Sequence, residues 1–273
     1  MSTELTLIIG PQSRLALDLN ALVRTHRQAL GKAGLKALPS RVASPFLRRC
    51  LDPGEPLNDR QVAFRRETAT PTVMSAVNLL GPPQAGLHGR EMFPDAERLL
   101  FGLGQIAKTA RIVILPDSLP RFFMASGSDT LEARVRETSW ETLYDLSWAD
   151  LVREIRQALP DADLFVLTPD GAVIQSETVL ELVFGGAAKV LDPLGLLRAR
   201  LSETGIAVLD RMLETGAPNA KNLEEIYLSF ARHPSVIEVQ TLLGIEKITQ
   251  TLLDQRFADD LDAIRTLPGT KVI

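Results

Sequence analysis

Leu5-Thr6-Leu7-Ile8-Ile9-Gly10 is the stretch on which the fold turns. A short apolar, β-branched run closed by glycine reads as a strand buried on both faces. From Leu15 to about Lys32, apolar residues recur at Leu15, Leu19, Leu22, Val23, Ala29 and Leu30, and Gly34 stands where such a helix would stop. Strand, glycine turn and helix in that order open a doubly wound sheet.

Working outward, the same grammar repeats. Thr72-Val73-Met74-Ser75-Ala76-Val77, Arg111-Ile112-Val113-Ile114-Leu115 and Asp163-Leu164-Phe165-Val166-Leu167 read as further buried strands. Helical spacing over Pro94 to Lys108, Leu119 to Arg136 and Ser147 to Leu159 fills the intervals, the last opened by a Ser147/Asp150 capping box. Between Pro39 and Arg66 only a helix over Arg41 to Leu51 and a turn at Asp52-Pro53-Gly54-Glu55-Pro56 stand out. From about residue 176 to 268 the pattern is helical, and Gly269-Thr270-Lys271-Val272-Ile273 closes with a short strand. The expected fold is one α/β domain over residues 1–273, a mainly parallel sheet with helices on both faces and a helical C-terminal part.

Composition excludes several function classes. Of 273 residues 45% are hydrophobic and 23% charged, with mean hydropathy +0.06 and a formal charge of −4. That describes a globular domain and a poor binder of nucleic acid. Cys50 is the lone cysteine, so an intramolecular disulfide and a cysteine-rich zinc site are both excluded. Leu5 to Ile9 is too short for a signal or anchor, and no stretch nears the ~18 apolar residues of a membrane helix, which leads us to expect a cytoplasmic protein.

Several phrases, in order, resemble the bacterial sulfotransferase-like proteins of the P-loop superfamily that are common in α-proteobacterial genomes. Leu7-Ile8-Ile9-Gly10 is similar to the first strand of that family, and the helix with Asn20, Arg27, Leu30 and Gly34 to its first helix. Asn78-Leu79-Leu80-Gly81, Met92-Phe93-Pro94-Asp95-Ala96, Leu146-Ser147-Trp148-Ala149-Asp150-Leu151 and Gln255 to Ile264 are similarly placed. The resemblance spans nearly the whole chain and implies a P-loop-type sheet. It also implies a reaction, transfer of a sulfuryl group from 3′-phosphoadenosine 5′-phosphosulfate to a hydroxyl of a glycan or small molecule.

The residues that would perform that reaction are replaced. Against the family's Gly-x-x-Lys-Thr-x-Thr-Ser, this chain reads Gly10-Pro11-Gln12-Ser13-Arg14-Leu15-Ala16-Leu17. Ser13 stands at the lysine, Ala16 and Leu17 at the hydroxyls, and Pro11 removes a backbone donor. A one-residue slip lets Arg14 supply the cation. Val77 stands where the family has a carboxylate general base. Pro116 and Met124 stand at the arginine and serine that grip the 3′-phosphate, with Arg121 and Ser126 as displaced substitutes.

The expected function is therefore a sulfotransferase-family fold that is catalytically degenerate and acts by binding a small molecule, a glycan or a protein partner. The alternative is an active sulfotransferase rearranged around Arg14, Arg121 and Ser126. Gly10, Gln12, Ser13, Arg14, Arg121 and Ser126 are the candidate cofactor residues, and Arg14 and His88 the candidate catalytic ones. An ATP- or GTP-using P-loop kinase needs Gly-x-x-x-x-Gly-Lys-[Ser/Thr], which is absent.

Ordinary readings accompany these. Gly10 also suits a strand end with no ligand, Arg14 a solvated surface, and Asp117 and Ser118 a helix N-cap. Trp140 and Trp148 also suit the core, and the charges from Glu132 to Glu137 a solvated face. Cys50 reads as an inert thiol, and His26, His88 and His233 have no metal-ligand spacing.

Overall fold

A computed structural model describes residues 4–10, 13–77, 79–80, 93, 95–125, 140–214 and 247–273. Among the described residues, six strands form one sheet, all parallel: β1 (Leu5–Ile9), β2 (Lys36–Leu38), β3 (Thr72–Ala76), β4 (Arg111–Ile114), β5 (Asp163–Val166) and β6 (Thr270–Val272), in the order β2-β3-β1-β4-β5-β6. The doubly wound α/β expectation holds.

β1 lies between β3 and β4, with Ile9 opposite both Ala76 and Ile114, and all five of its residues are buried. Its side chains alternate as a pleated strand requires. Leu7 and Ile9 join the core on one face and Ile8 the core on the other. The Ile8 face is covered by α1 (Arg14–Thr25), α2 (Arg27–Lys32) and, beyond β5, by α10 (Ser176–Phe184). The Leu7 face is covered by α3 (Ser40–Cys50), α4 (Leu57–Glu67), α5 (Ala96–Ile106), α6 (Leu119–Ala125), α7 (Trp140–Asp145) and α8 (Trp148–Ala158). α9 (Pro169–Ile174) precedes α10, and α11 (Gly195–Arg198) and α12 (Glu203–Glu214) follow it. α13 (Lys247–Arg265) returns to the Leu7 face before β6.

The helix read over residues 15–32 is two helices that break at His26 (φ −99°, ψ 10°). Eighteen residues of straight helix would run about 27 Å, whereas a five-residue strand spans about 16 Å. The chain must bend to bring Leu30 back onto the sheet. Gly34 then ends α2 in a Schellman motif: its φ is +87°, Gly34 N–H donates to Gly31 O and Leu35 N–H to Leu30 O. Asn20 Oδ1 accepts from Ser40 N–H at 2.8 Å and so caps α3 from another element.

The C-terminal helix is fixed through Asp260, which is 2% exposed. Its carboxylate accepts from Ser147 Oγ–H and from Trp148 N–H, each at 2.8 Å, at the start of α8. Ser147 Oγ in turn accepts from Asp150 N–H, the capping half of the expected box, while the Asp150 carboxylate pairs with Arg153. Among the described residues, no helix is long and apolar enough to cross a membrane.

Candidate functional site

The connection after β1 leaves on one face of the sheet and the connection after β4 on the other. In open parallel sheets the carboxyl ends of two such strands bound the binding crevice. Gly10 closes β1 at φ +123°, a backbone that L side chains rarely adopt, with its Cβ direction toward Ile114 Cγ2. Opposite it, β4 runs into Leu115-Pro116-Asp117-Ser118, all buried.

Ser13 and Arg14 are both engaged by the chain itself. Ser13 is the N-cap of α1: it is fully buried and its Oγ accepts from Ala16 N–H at 3.2 Å. Arg14 is the first residue of that helix, where a positive charge opposes the helix dipole. Its guanidinium turns to Asp18 Oδ1, 3.2 Å from Nε, and its Nη2 donates to Ala199 O at 3.4 Å. Gln12, His88 and Ser126 lie outside the described residues, as do Pro11 and His233. Arg121 is exposed on α6, one turn beyond Asp117.

Arg200, which the sequence reading missed, completes the cluster. It follows α11, and its Nε lies 3.3 Å from Asp18 Oδ2. The two charges form an ion pair closed off from solvent, with Arg200 Nε and Asp18 Oδ2 both buried. Burial pushes the Arg200 pKa down, against the pull of Asp18 and Asp117, and pushes the Asp18 carboxyl up, against Arg200 and Arg14.

Asp117 is 1% exposed. Its Oδ1 accepts from Ser118 N–H at 2.9 Å, and its backbone carbonyl accepts from the Trp148 indole N–H at 2.8 Å. Burial raises its carboxyl to about 6; Arg121 and Arg200 oppose the rise and Asp170 adds to it. The N-cap expected of Ser118 is not made through its hydroxyl, which is buried without a partner. Trp148 belongs to the core, edge-on to Phe122 at 5.8 Å, and its indole N–H holds the floor of the crevice.

A groove of about 230 Å³ runs between α1 and α11, lined by Asp18, Ala21, Leu22, His26, Leu196 and Ala199 among others. It meets the charged cluster at Asp18 and Ala199. Cys50 is buried on α3, away from these strand ends, and burial raises its thiol pKa, which keeps it from the reactive thiolate. Among the described residues, no group of three or more His, Cys, Asp or Glu is placed to hold a metal ion. The arrangement can hold a small anion on arginine and exchange a proton at Asp117 near neutral pH. No family model matches the chain, and no curated protein or solved structure does either.

Proposed function

We propose that this chain is a sulfotransferase-like protein that binds a ligand or a partner without transferring a sulfuryl group. The observation that carries the reading is the engagement of Arg14 and Ser13. The cation that a one-residue slip would offer to a phosphate is paired with Asp18 and the Ala199 carbonyl. The hydroxyl at the helix start is used by Ala16 N–H. Asp18, Asp117 and Asp170 offset the charges of Arg14, Arg121 and Arg200 at the same strand ends, so the cluster offers a nucleotide bisphosphate no net positive charge. Val77, where the resemblance would have a base, is buried and apolar.

Calorimetric titration of the protein with adenosine 3′,5′-bisphosphate tests the proposal. No saturable heat is expected. Stoichiometric binding that Arg14→Ala abolishes would favour the active, rearranged site of Arg14, Arg121 and Ser126 instead.

A further inference from the structure

We propose that this chain associates with itself head to tail, a basic and apolar face on α4 and α5 of one copy docking on an acidic and apolar face of α13 of the next, whatever the crevice binds. α4 buries one side chain, Phe64. On its outer side Val62 is 65% exposed, and Arg65 and Arg66 stand three and four residues on, where a helix places its neighbours. Gln61 Nε2 donates to Gln105 O of α5 at 3.1 Å and joins the two helices. One turn back from Gln105 stands Phe101, 67% exposed. Each helix therefore sets one large apolar side chain in solvent beside that joint.

Charge says what covers this face. Ser40 to Glu67 carries six arginines against four carboxylates, in a chain whose net charge is −4. Glu67 is taken by Lys36 Nζ at 2.8 Å, and Asp52 Oδ1 accepts from Gly54 N–H at 2.9 Å. Arg65 and Arg66 are exposed and have no ion pair among the described residues. The carboxylates on their side are Asp59, three residues before Val62, and Glu97 of α5, while Arg98 of α5 is set against Asp95 at 3.8 Å. A cationic rim around an apolar centre calls for a partner surface that is apolar and bears carboxylates.

The chain carries that surface itself. Along the solvent side of α13, Ile248, Leu252, Gln255, Asp259 and Asp262 recur at spacings of four and three, and all five are exposed, Ile248 at 66%. Apolar side chains fill the first half of this stripe and aspartates the second. Asp259 Oδ1 accepts from the Gln255 amide at 3.0 Å, Asp262 pairs with Arg265, and Arg256 is turned to Asp260 and the Tyr144 ring. α4 likewise runs from Leu57 and Val62 to Arg65 and Arg66. Laid side by side in the same direction, the two helices set apolar on apolar and arginine on aspartate. α3, on which α4 packs, covers β3 beside the β2 edge of the sheet, whereas α13 packs on β6 at the other edge. Faces at opposite edges cannot meet within one chain. Contact between copies is therefore heterologous, and its repetition builds an open chain or a ring.

The test is sedimentation velocity on the full chain from about 5 to about 500 µM, in about 50 mM and about 500 mM salt. The weight-average mass should climb with concentration past that of a dimer, and the higher salt should weaken association about tenfold. Arg65→Glu with Arg66→Glu sets acid against acid, and Asp259→Lys with Asp262→Lys sets base against base, so each double variant should stay monomeric alone. Mixed in equal amounts they should associate again, because each reversed face then meets its complement. Val62→Ser with Phe101→Ser should weaken association about tenfold and leave its salt dependence in place. All six side chains are exposed, so thermal melts of the variants should overlay that of the wild type. A monomer at every concentration, a dimer indifferent to both pairs of reversals, or variants that stay monomeric when mixed would each overturn the proposal. So would capture of RNA or of phosphatidylglycerol vesicles through Arg65 and Arg66 in place of self-association.

Discussion

The buried carboxyl of Asp117 makes the stability of this protein depend on pH in a way that can be calculated. Its pKa stands at about 6 in the folded protein against 3.8 in the open chain. A carboxyl whose folded value is raised favours the folded state while protonated. Its contribution is therefore complete below 3.8 and is lost as pH climbs through about 6. The difference corresponds to about 3 kcal/mol in total, of which about 2 kcal/mol falls between pH 4.5 and 8.0. Asparagine at this position cannot ionise. Urea melts of the wild type and Asp117→Asn across that range should give a stability difference that moves by about 2 kcal/mol in favour of the variant as pH rises. Any constant cost of the substitution cancels in the comparison. The other buried carboxyls raised by desolvation, Asp18 and Asp260, titrate in both proteins. A difference constant to within about 0.5 kcal/mol over the range would refute the reasoning.

Two glycines in helices should respond in opposite directions to alanine. A Cβ on Gly104 of α5 would sit 2.5 Å from Ala158 O of α8, and the overpacking, about 1–3 kcal/mol, should exceed the gain of roughly 1 kcal/mol in helix propensity. Gly31 of α2 has nothing within 4 Å of its Cβ position, so Gly31→Ala should stabilise by about 0.5–1 kcal/mol; the pair is read by thermal and urea melts. Asp260→Ala leaves Trp148 N–H and Ser147 Oγ without their carboxylate and should cost about 2–4 kcal/mol, with Trp148 fluorescence shifting as the start of α8 loosens. A melt unchanged within about 0.5 kcal/mol would remove Asp260 from the account of stability.

The strands that could be read in advance were those covered on both faces. β1, β3, β4 and β5 are continuous apolar or β-branched runs because a central parallel strand has no solvent side. β2 is only Lys36–Leu38, too short to carry a period, and exists by pairing with β3. α4 escaped because Phe64 is its one buried residue, so no apolar stripe marks it. The site divides similarly. Ser13, Arg14 and Asp117 were visible because they follow strands, and Asp18 lies four residues from Arg14, a legible helix pair. Arg200 was not, since nothing local ties it to Asp18. Only the packing of α11 on α1 brings them together, and the sequence hint is no more than two arginines, Arg198 and Arg200, after an Asp192-Pro193 turn.

Asp260 reaches the start of α8 and so fixes Trp148, whose indole steadies the carbonyl of Asp117. During synthesis, β1, β4 and the loop that carries Asp117 leave the ribosome long before residue 260 does. The crevice therefore waits with an unfastened floor until the C-terminal helix arrives, and contacts so distant in sequence form late and slowly. Nascent chains stalled before and after residue 260 should differ in how readily a protease cuts near Trp148.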